Sequence, residues 1–307
     1  MTKVFIDGSA GTTGLRIFDR LRERKDLELI ILSDELRKDI NARREALNSC
    51  DIAFLCLPDK AAIEAVSLIE NKNTAVIDTS TAHRVNEDFT YGFAELLESY
   101  DVIRNSKRIA NPGCHASGFN ALIAPLTKAG ILRKDANLSC FSLTGYSGGG
   151  KQMIAQYEEA ERNVLLDAPR MYGLTQSHKH IPEMVKVCDL EVAPAFCPVV
   201  GDFYSGMQVT VPIFKSDVNG NINDIKDVYK SVYTGKVVHF DDECSEDGFM
   251  SSNALSFKDD MQITVCGNDD RILLVSRFDN LGKGASGSAI QNMNILLNVD
   301  ECTGLNI

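Results

Sequence analysis

A glycine-rich turn, Gly8-Ser9-Ala10-Gly11-Thr12-Thr13-Gly14, stands between an apolar run at Lys3 to Asp7 and a segment with helical spacing through Leu15, Ile17, Phe18 and Leu21. Glycine permits the sharp turn, and backbone N–H groups then gather at the start of a helix. The alternation continues. Leu27 to Leu32, Asp51 to Leu57 and Thr74 to Asp78 read as buried-type strands, with a polar, charge-rich stretch after the second and a helix over Ala61 to Ile69. This β-α-β-α-β-α-β order predicts an α/β fold, a doubly wound parallel sheet with right-handed crossovers and helices on both faces. Lys107 to Asn111 predicts a further strand, broken by Asn111-Pro112-Gly113. From Cys114 onward the apolar pattern Phe119, Leu122, Ile123 and Leu126 turns helical.

Past Leu132 strand-like runs dominate: Leu138 to Leu143, Val192 to Val200, Met207 to Phe214, Met261 to Val265 and Ile272 to Phe278. Hairpin-like and irregular connections separate them, the cluster Gly148-Gly149-Gly150 among them, so a second, α+β domain with a mostly antiparallel sheet is expected. A last helix is expected over Ala285 to Leu297. The chain has 307 residues, enough for about two domains with separate cores. The expected division is 1–113 and 114–283, with 284–307 returning to the first domain.

Acidic residues outnumber basic ones 43 to 32, for a formal charge of −11. That balance, with no cluster of Lys and Arg, argues against a nucleic-acid partner, and no basic amphipathic segment suits an anionic membrane. No apolar run reaches the ~18 residues of a spanning helix, and the first residues lack a signal-peptide layout, so a cytoplasmic protein is expected. Nine cysteines are scattered without a Cys-x-x-Cys pair, which favours reduced thiols.

Cys114 differs from the other eight. It follows Asn-Pro-Gly and opens a predicted helix, where partial positive charge favours thiolate over thiol. The densest group of histidines is His178-Lys179-His180-Ile181-Pro182-Glu183. Pro182 biases Ile181 toward an extended backbone, which would turn His178 and His180 to the same side. Either ring is suited to proton transfer near neutral pH. A zinc site would need further ligands that the sequence does not supply, so no metal is expected. For the turn at Gly8 to Gly14 a dinucleotide is the natural ligand, and its identity stays open at this level. Asp34 favours NAD, whereas Ser33 with Arg37 and Lys38 suits the 2′-phosphate of NADP.

Seven ordered blocks carry a resemblance that extends over nearly the whole chain. They are Gly8 to Gly14, Asp78 to Arg84, Tyr91 to Leu96, Asn111 to Cys114, Gly145 to Lys151, His178 to Glu183, and Asp279 to Ala285 continuing through Gln291 to Asn294. In these the chain resembles the short-form N-acetyl-γ-glutamyl-phosphate reductases of arginine biosynthesis. The resemblance implies a Rossmann-type domain plus a semialdehyde-dehydrogenase-like substrate and dimerisation domain, NADP(H) as cofactor, and a homo-oligomer. It implies Cys114 as nucleophile, through a thioester, and His180 as acid/base with His178 as substitute. For the cofactor it implies Gly8, Ser9, Ala10, Gly11, Thr12, Thr13, Gly14, Ser33, Arg37, Asn280, Lys283 and Gly284, with Gly282 to Gly284 returning the last helix to the nucleotide domain and closing over the nicotinamide. For the acyl phosphate it implies Ser80, Arg84, Asn111, Ser147, Gly148 and Lys151. One departure stands out: an aromatic residue commonly follows the family's cysteine, and here it is His115, whose imidazole adjoins the nucleophile and bears on its pKa. The nearest alternative, aspartate-β-semialdehyde dehydrogenase or another acyl-phosphate reductase of the same fold, shares the plan but carries a different signature around its histidine.

Overall fold

The computed structural model describes residues 1–96 and 99–307, which fall into two units. The first holds Met1–Ala94, the segment ending at Pro112, and Ala285–Leu305. Its strands and helices alternate as β1 (Thr2–Asp7), α1 (Thr12–Leu21), β2 (Leu27–Ile30), α2 (Ile40–Ser49), β3 (Ile52–Leu55), α3 (Asp59–Ser67), β4 (Ala75–Asp78), β5 (Thr90–Tyr91), α4 (Ser99–Arg104) and β6 (Arg108–Ala110). All pairings are parallel, in the order β2-β1-β3-β4-β6-β5. The order reverses at β1, and the glycine turn leaves the carboxyl end of that strand, where open α/β sheets bind ligands.

Successive residues of β1 feed opposite cores, as the two-residue period of a strand requires. Val4 and Ile6 pack with Ile17, Leu21, Ile290 and Met293, whereas Phe5 packs with Leu47, Leu55 and Ala65 on the other face. Burying each such aliphatic side chain contributes about 1.5–3 kcal/mol. The helix Gly287–Leu296, near the C-terminus, is the element that completes the first of these cores.

The second unit is built mainly from Gly113–Gly284. It comprises α5 (Cys114–Lys128), β7 (Ser139–Gly145), α6 (Gly150–Glu158), β8 (Arg170–Met171), α7 (Ile181–Val187), β9 (Ala195–Gly201), β10 (Met207–Phe214), α8 (Ile222–Val232), β11 (Val238–Phe240), β12 (Met261–Gly267) and β13 (Arg271–Phe278). Its sheet runs β11-β12-β13-β10-β7-β9-β8, antiparallel except at β11–β12 and β7–β9. Helix α5 is buried from His115 through Thr127 on every face, the signature of a helix enclosed by protein.

The helix that the alternating order requires after β2 is α2, in the polar stretch, its start capped by Asp39 accepting from Asn41 and Ala42 N–H. Two local expectations are corrected. Gly148 to Gly150 is no irregular connection: a tight helical turn at Tyr146–Gly149 leads into α6. Ile181 is helical rather than extended, because Pro182 occupies the first turn of α7, where its missing N–H costs nothing. Among the described residues no helix is long and apolar enough to cross a membrane.

Candidate active site

Two of the three glycines of the turn are demanded by the protein itself. Gly8 has φ +88°, and a Cβ there would lie 2.3 Å from the Cys56 carbonyl oxygen; one at Gly14 would lie 2.4 Å from the Gly8 oxygen. Gly11 differs. A Cβ on it would meet nothing closer than 3.4 Å, so the protein alone does not require glycine there. Gly11 also caps α1 without any side-chain hydrogen bond, leaving the first N–H groups of Thr12, Thr13 and Gly14 for an anion.

Beside this turn lies a cavity of about 550 Å³ lined by Gly8, Ser9, Ala10 and Gly11, with apolar walls such as Phe18 and Leu29. Arg37, Lys38 and Arg43 bring three cations to it. The Arg43 guanidinium is held by Asp7 at 3.0 Å and Glu64 at 2.9 Å. Burial nevertheless raises the Asp7 carboxyl above its ordinary value, and only Arg43 opposes that shift. Because β2 ends at Ile30, Ser33 sits on an exposed turn, where its carbonyl accepts from Leu36 and Arg37 N–H. That turn presents Arg37 and Lys38; Ser33 itself is not part of the cavity wall. Arg43 and Asp7 carry no motif, and only folding brings them together.

In the second unit Cys114 is the first residue of α5, capped by Gly113. The Gly113 N–H donates to Glu183 Oε1 at 2.8 Å, and Glu183 lies on α7, the helix that His180 caps. His178 and His180 have ring centroids 4.8 Å apart, and the His180 N–H donates to His178 Nδ1 at 3.3 Å. A turn at the start of α7, not an extended strand, thus gathers the pair. A Cβ on Gly284 would lie 3.0 Å from Cys114 Cβ; glycine there, in the π-helical turn Gly282–Ser286, lets the backbone approach the cysteine.

Two residues without a site motif complete the surroundings. His115 Nδ1 hydrogen-bonds with Ser142 Oγ at 2.7 Å and its Nε2 with Tyr172 OH at 2.5 Å. Burial, reinforced by His178, lowers the His115 pKa to about 3, so the ring is neutral and places no positive charge beside the cysteine. Burial raises the Tyr172 phenol, and a charge on Cys114 raises it further. His178 is lowered by burial and by Lys179. All nine cysteines are free, but burial pushes Cys50 up to about 12 and raises Cys140 and Cys188 as well. Those thiols stay protonated.

Ser80 Oγ is buried and donates to Asp78 at 2.7 Å. The Asn111 amide donates to the Ala285 carbonyl and accepts from Asn292, and Ser147 Oγ accepts from Asn280. All three make these bonds within the protein. Arg84 donates to the Asn111 and Thr79 carbonyls, clamping the chain before Pro112. Gly148 and Lys151 are exposed, and Lys151 has no ion pair among the described residues. Of the residues expected at the cofactor, Asn280 is also internal, donating to Ser147 and accepting from Gly206 N–H. Lys283 is fully buried and paired with both oxygens of Glu95 at 2.9 and 2.7 Å, so its ammonium is engaged inside this unit. Among the described residues, no three His, Cys, Asp or Glu side chains converge on a metal position.

Comparison with known proteins yields matches across both units. Residues 3–103 match the family model described as semialdehyde dehydrogenase, NAD binding domain, and residues 114–280 the one described as semialdehyde dehydrogenase, dimerisation domain. The chain is 45% identical over 306 residues to proteins named N-acetyl-gamma-glutamyl-phosphate reductase from Brucella ovis and Brucella abortus, covering 96% of this chain and 98% of each relative. Among solved structures it resembles aspartate semialdehyde dehydrogenase II of Vibrio cholerae complexed with ASA (TM-score 0.73, 16% identity, 97% and 98% of the two chains). The aspartate semialdehyde dehydrogenase of Candida albicans with NADP is also similar (TM-score 0.65, 15% identity, 97% and 98%). At such identities these two show the fold.

Proposed function

Because the chain belongs to the N-acetyl-gamma-glutamyl-phosphate reductase family of semialdehyde dehydrogenases, we infer that it carries out the NADPH-dependent reductive dephosphorylation of N-acetyl-γ-glutamyl phosphate to the semialdehyde in arginine biosynthesis. The first unit is the cofactor domain in this reading, and the second holds the acyl chain. The glycine turn suits the cofactor's diphosphate, since Gly11 leaves open the space that a Cβ would fill and the start of α1 lacks a side-chain cap. Arg37 and Lys38 suit a 2′-phosphate, which favours NADP over NAD. Bound there, NADPH supplies the hydride that reduces the acyl carbon.

The remaining chemistry belongs to the second unit. The start of α5 favours an anionic sulfur at Cys114. That sulfur attacks the acyl carbon, phosphate departs with the electron pair of the broken C–O bond, and a thioester forms. First-turn N–H groups of α5 stabilise the oxyanion, and loss of one such donor typically costs about 3–4 kcal/mol. His180 gives and recovers the proton as the tetrahedral adduct collapses, with His178 beside it. Lys151, exposed beside Gly148, is a cation suited to the substrate's carboxylate or phosphate. The observation that carries this reading is the hydrogen bond from Gly113 to Glu183, which ties the start of the cysteine helix to the helix capped by His180.

Two coarser points extend it. Exposed Val164, Leu165, Met171 and Leu174 in the second unit suit a homo-oligomer. Nine free thiols suit the reducing cytoplasm.

The test is a coupled assay in the oxidative direction with N-acetylglutamate semialdehyde, NADP and phosphate, with arsenate replacing phosphate as a control. Aspartate semialdehyde is measured in parallel. Phosphate-dependent turnover of the N-acetyl compound supports the reading; preference for aspartate semialdehyde overturns it. His180→Asn is expected to lower kcat with little change in KM, and if only His178→Asn does so the acid/base role moves to His178.

A further inference from the structure

His115 is packed among the rings of the second unit's aromatic cluster. Its ring lies 6.0 Å from that of Tyr172, 5.9 Å from His178, 5.5 Å from His180 and 5.2 Å from Phe196, centroid to centroid. Both of its nitrogens are engaged, by Ser142 on β7 and by the Tyr172 hydroxyl just after β8. Ser142 is fully buried, so it anchors the ring rather than exchanging it with solvent. From these contacts we propose that His115 is a positioning residue: from the position next to Cys114 it bridges Ser142 and Tyr172, holds the Tyr172 hydroxyl in one orientation and forms the wall against which His178 and His180 pack.

The proposal rests on Cys114 being the nucleophile. A neutral imidazole donates through one nitrogen and accepts through the other, so it bridges two hydroxyls without adding charge. Burial keeps His115 in that neutral form. A phenol held by one fixed hydrogen bond no longer rotates freely, and its remaining hydrogen-bonding capacity keeps a constant direction. Freeing it misplaces that group, an effect that reaches about 100-fold in rate for small displacements.

The experiment is a double-mutant cycle on the full-length enzyme with His115→Phe, Tyr172→Phe and the pair, together with His115→Gln. Values of kcat and KM are read for each. Alkylation of Cys114 by iodoacetamide is followed against pH without substrate or cofactor. Each single variant is expected to lose about 10- to 100-fold in kcat with KM little changed. The pair is expected to be no worse than the poorer single variant, and His115→Gln, whose amide both donates and accepts, to recover most of the loss. The alkylation profile is expected to move with Tyr172→Phe and equally with His115→Phe. Losses that multiply in the pair, or wild-type kcat in His115→Phe, overturn the proposal. Should His115→Phe fail to fold, Tyr172→Phe carries the test, since removing the hydroxyl alone must lower kcat. Cys114→Ser is measured alongside: if it turns over normally the nucleophile assignment fails, whereas an inactive Cys114→Ser with a multiplicative cycle removes only the role of His115.

Discussion

The buried carboxylate of Glu183 accepts the backbone N–H of Gly113 at 2.8 Å, so the peptide just before Cys114 is anchored to the helix that His180 caps. Removing that acceptor leaves a buried donor unpaired, which costs about 1–3 kcal/mol. Glu183→Ala is therefore expected to lower the unfolding free energy in urea by that amount and to reduce kcat, because the cysteine and histidine helices lose their register. Glu183→Gln, which keeps an acceptor oxygen, should lose much less of both. Equal losses in the two variants would show that the Gly113 bond does not matter.

Gly11→Ala and Gly8→Ala separate ligand binding from folding. A Cβ at residue 11 meets only ordinary contacts, whereas one at residue 8 strikes the Cys56 carbonyl at 2.3 Å in a left-handed backbone. Gly11→Ala is expected to keep the wild-type melting temperature and weaken NADPH by about tenfold or more, roughly 1.4 kcal/mol. Gly8→Ala is expected to destabilise the fold itself. Calorimetry and isothermal titration on the two variants check both halves.

The Lys283–Glu95 pair is buried. Lys283→Met strands a carboxylate and should cost about 3–5 kcal/mol, while Lys283→Met combined with Glu95→Leu should be markedly less damaging. Urea unfolding of the two proteins distinguishes this from a pair that solvent can rescue, for which the double variant would be no better than the single one.

His115 makes stability depend on pH. Its folded pKa lies near 3 against an ordinary 6.5, so between those values the unfolded chain binds a proton that the folded chain excludes. Stability therefore falls as pH drops below 6.5, by about 1.4 kcal/mol per unit, or about 2 kcal/mol by pH 5. Melting curves across that window should show the slope in the wild type and its loss in His115→Phe. A slope that persists unchanged in the variant would assign it to other groups.

Much of the fold is legible in the sequence because burial leaves a strong period. Strand β10 falls on the expected Met207 to Phe214, and β1 and β4 fall within a residue of expectation. Helix α2 follows from the alternating order, but its bounds are hidden by its polar face, since only Ala46, Leu47 and Arg43 are buried. Helix α8 lies outside the expected elements although Asn221 and Asp224 form a capping box ahead of it, a signal that sequence does carry. Cys114 at a helix start is readable from Asn-Pro-Gly. Tyr172 and Ser142 are not, because they reach His115 only through strand pairing distant in sequence. For Ser80, Asn111 and Ser147 a motif marks the polar residue, and only the fold shows its partners, Asp78, Ala285 and Asn280.

The covalent step is tested most directly by mixing the enzyme with acyl phosphate in the absence of NADPH and following released phosphate together with intact-protein mass. The wild type is expected to release one phosphate per chain in a burst and to gain the acyl mass on the Cys114 peptide, while Cys114→Ser shows neither. A burst of equal size from Cys114→Ser, or an acyl adduct on another residue, would contradict it.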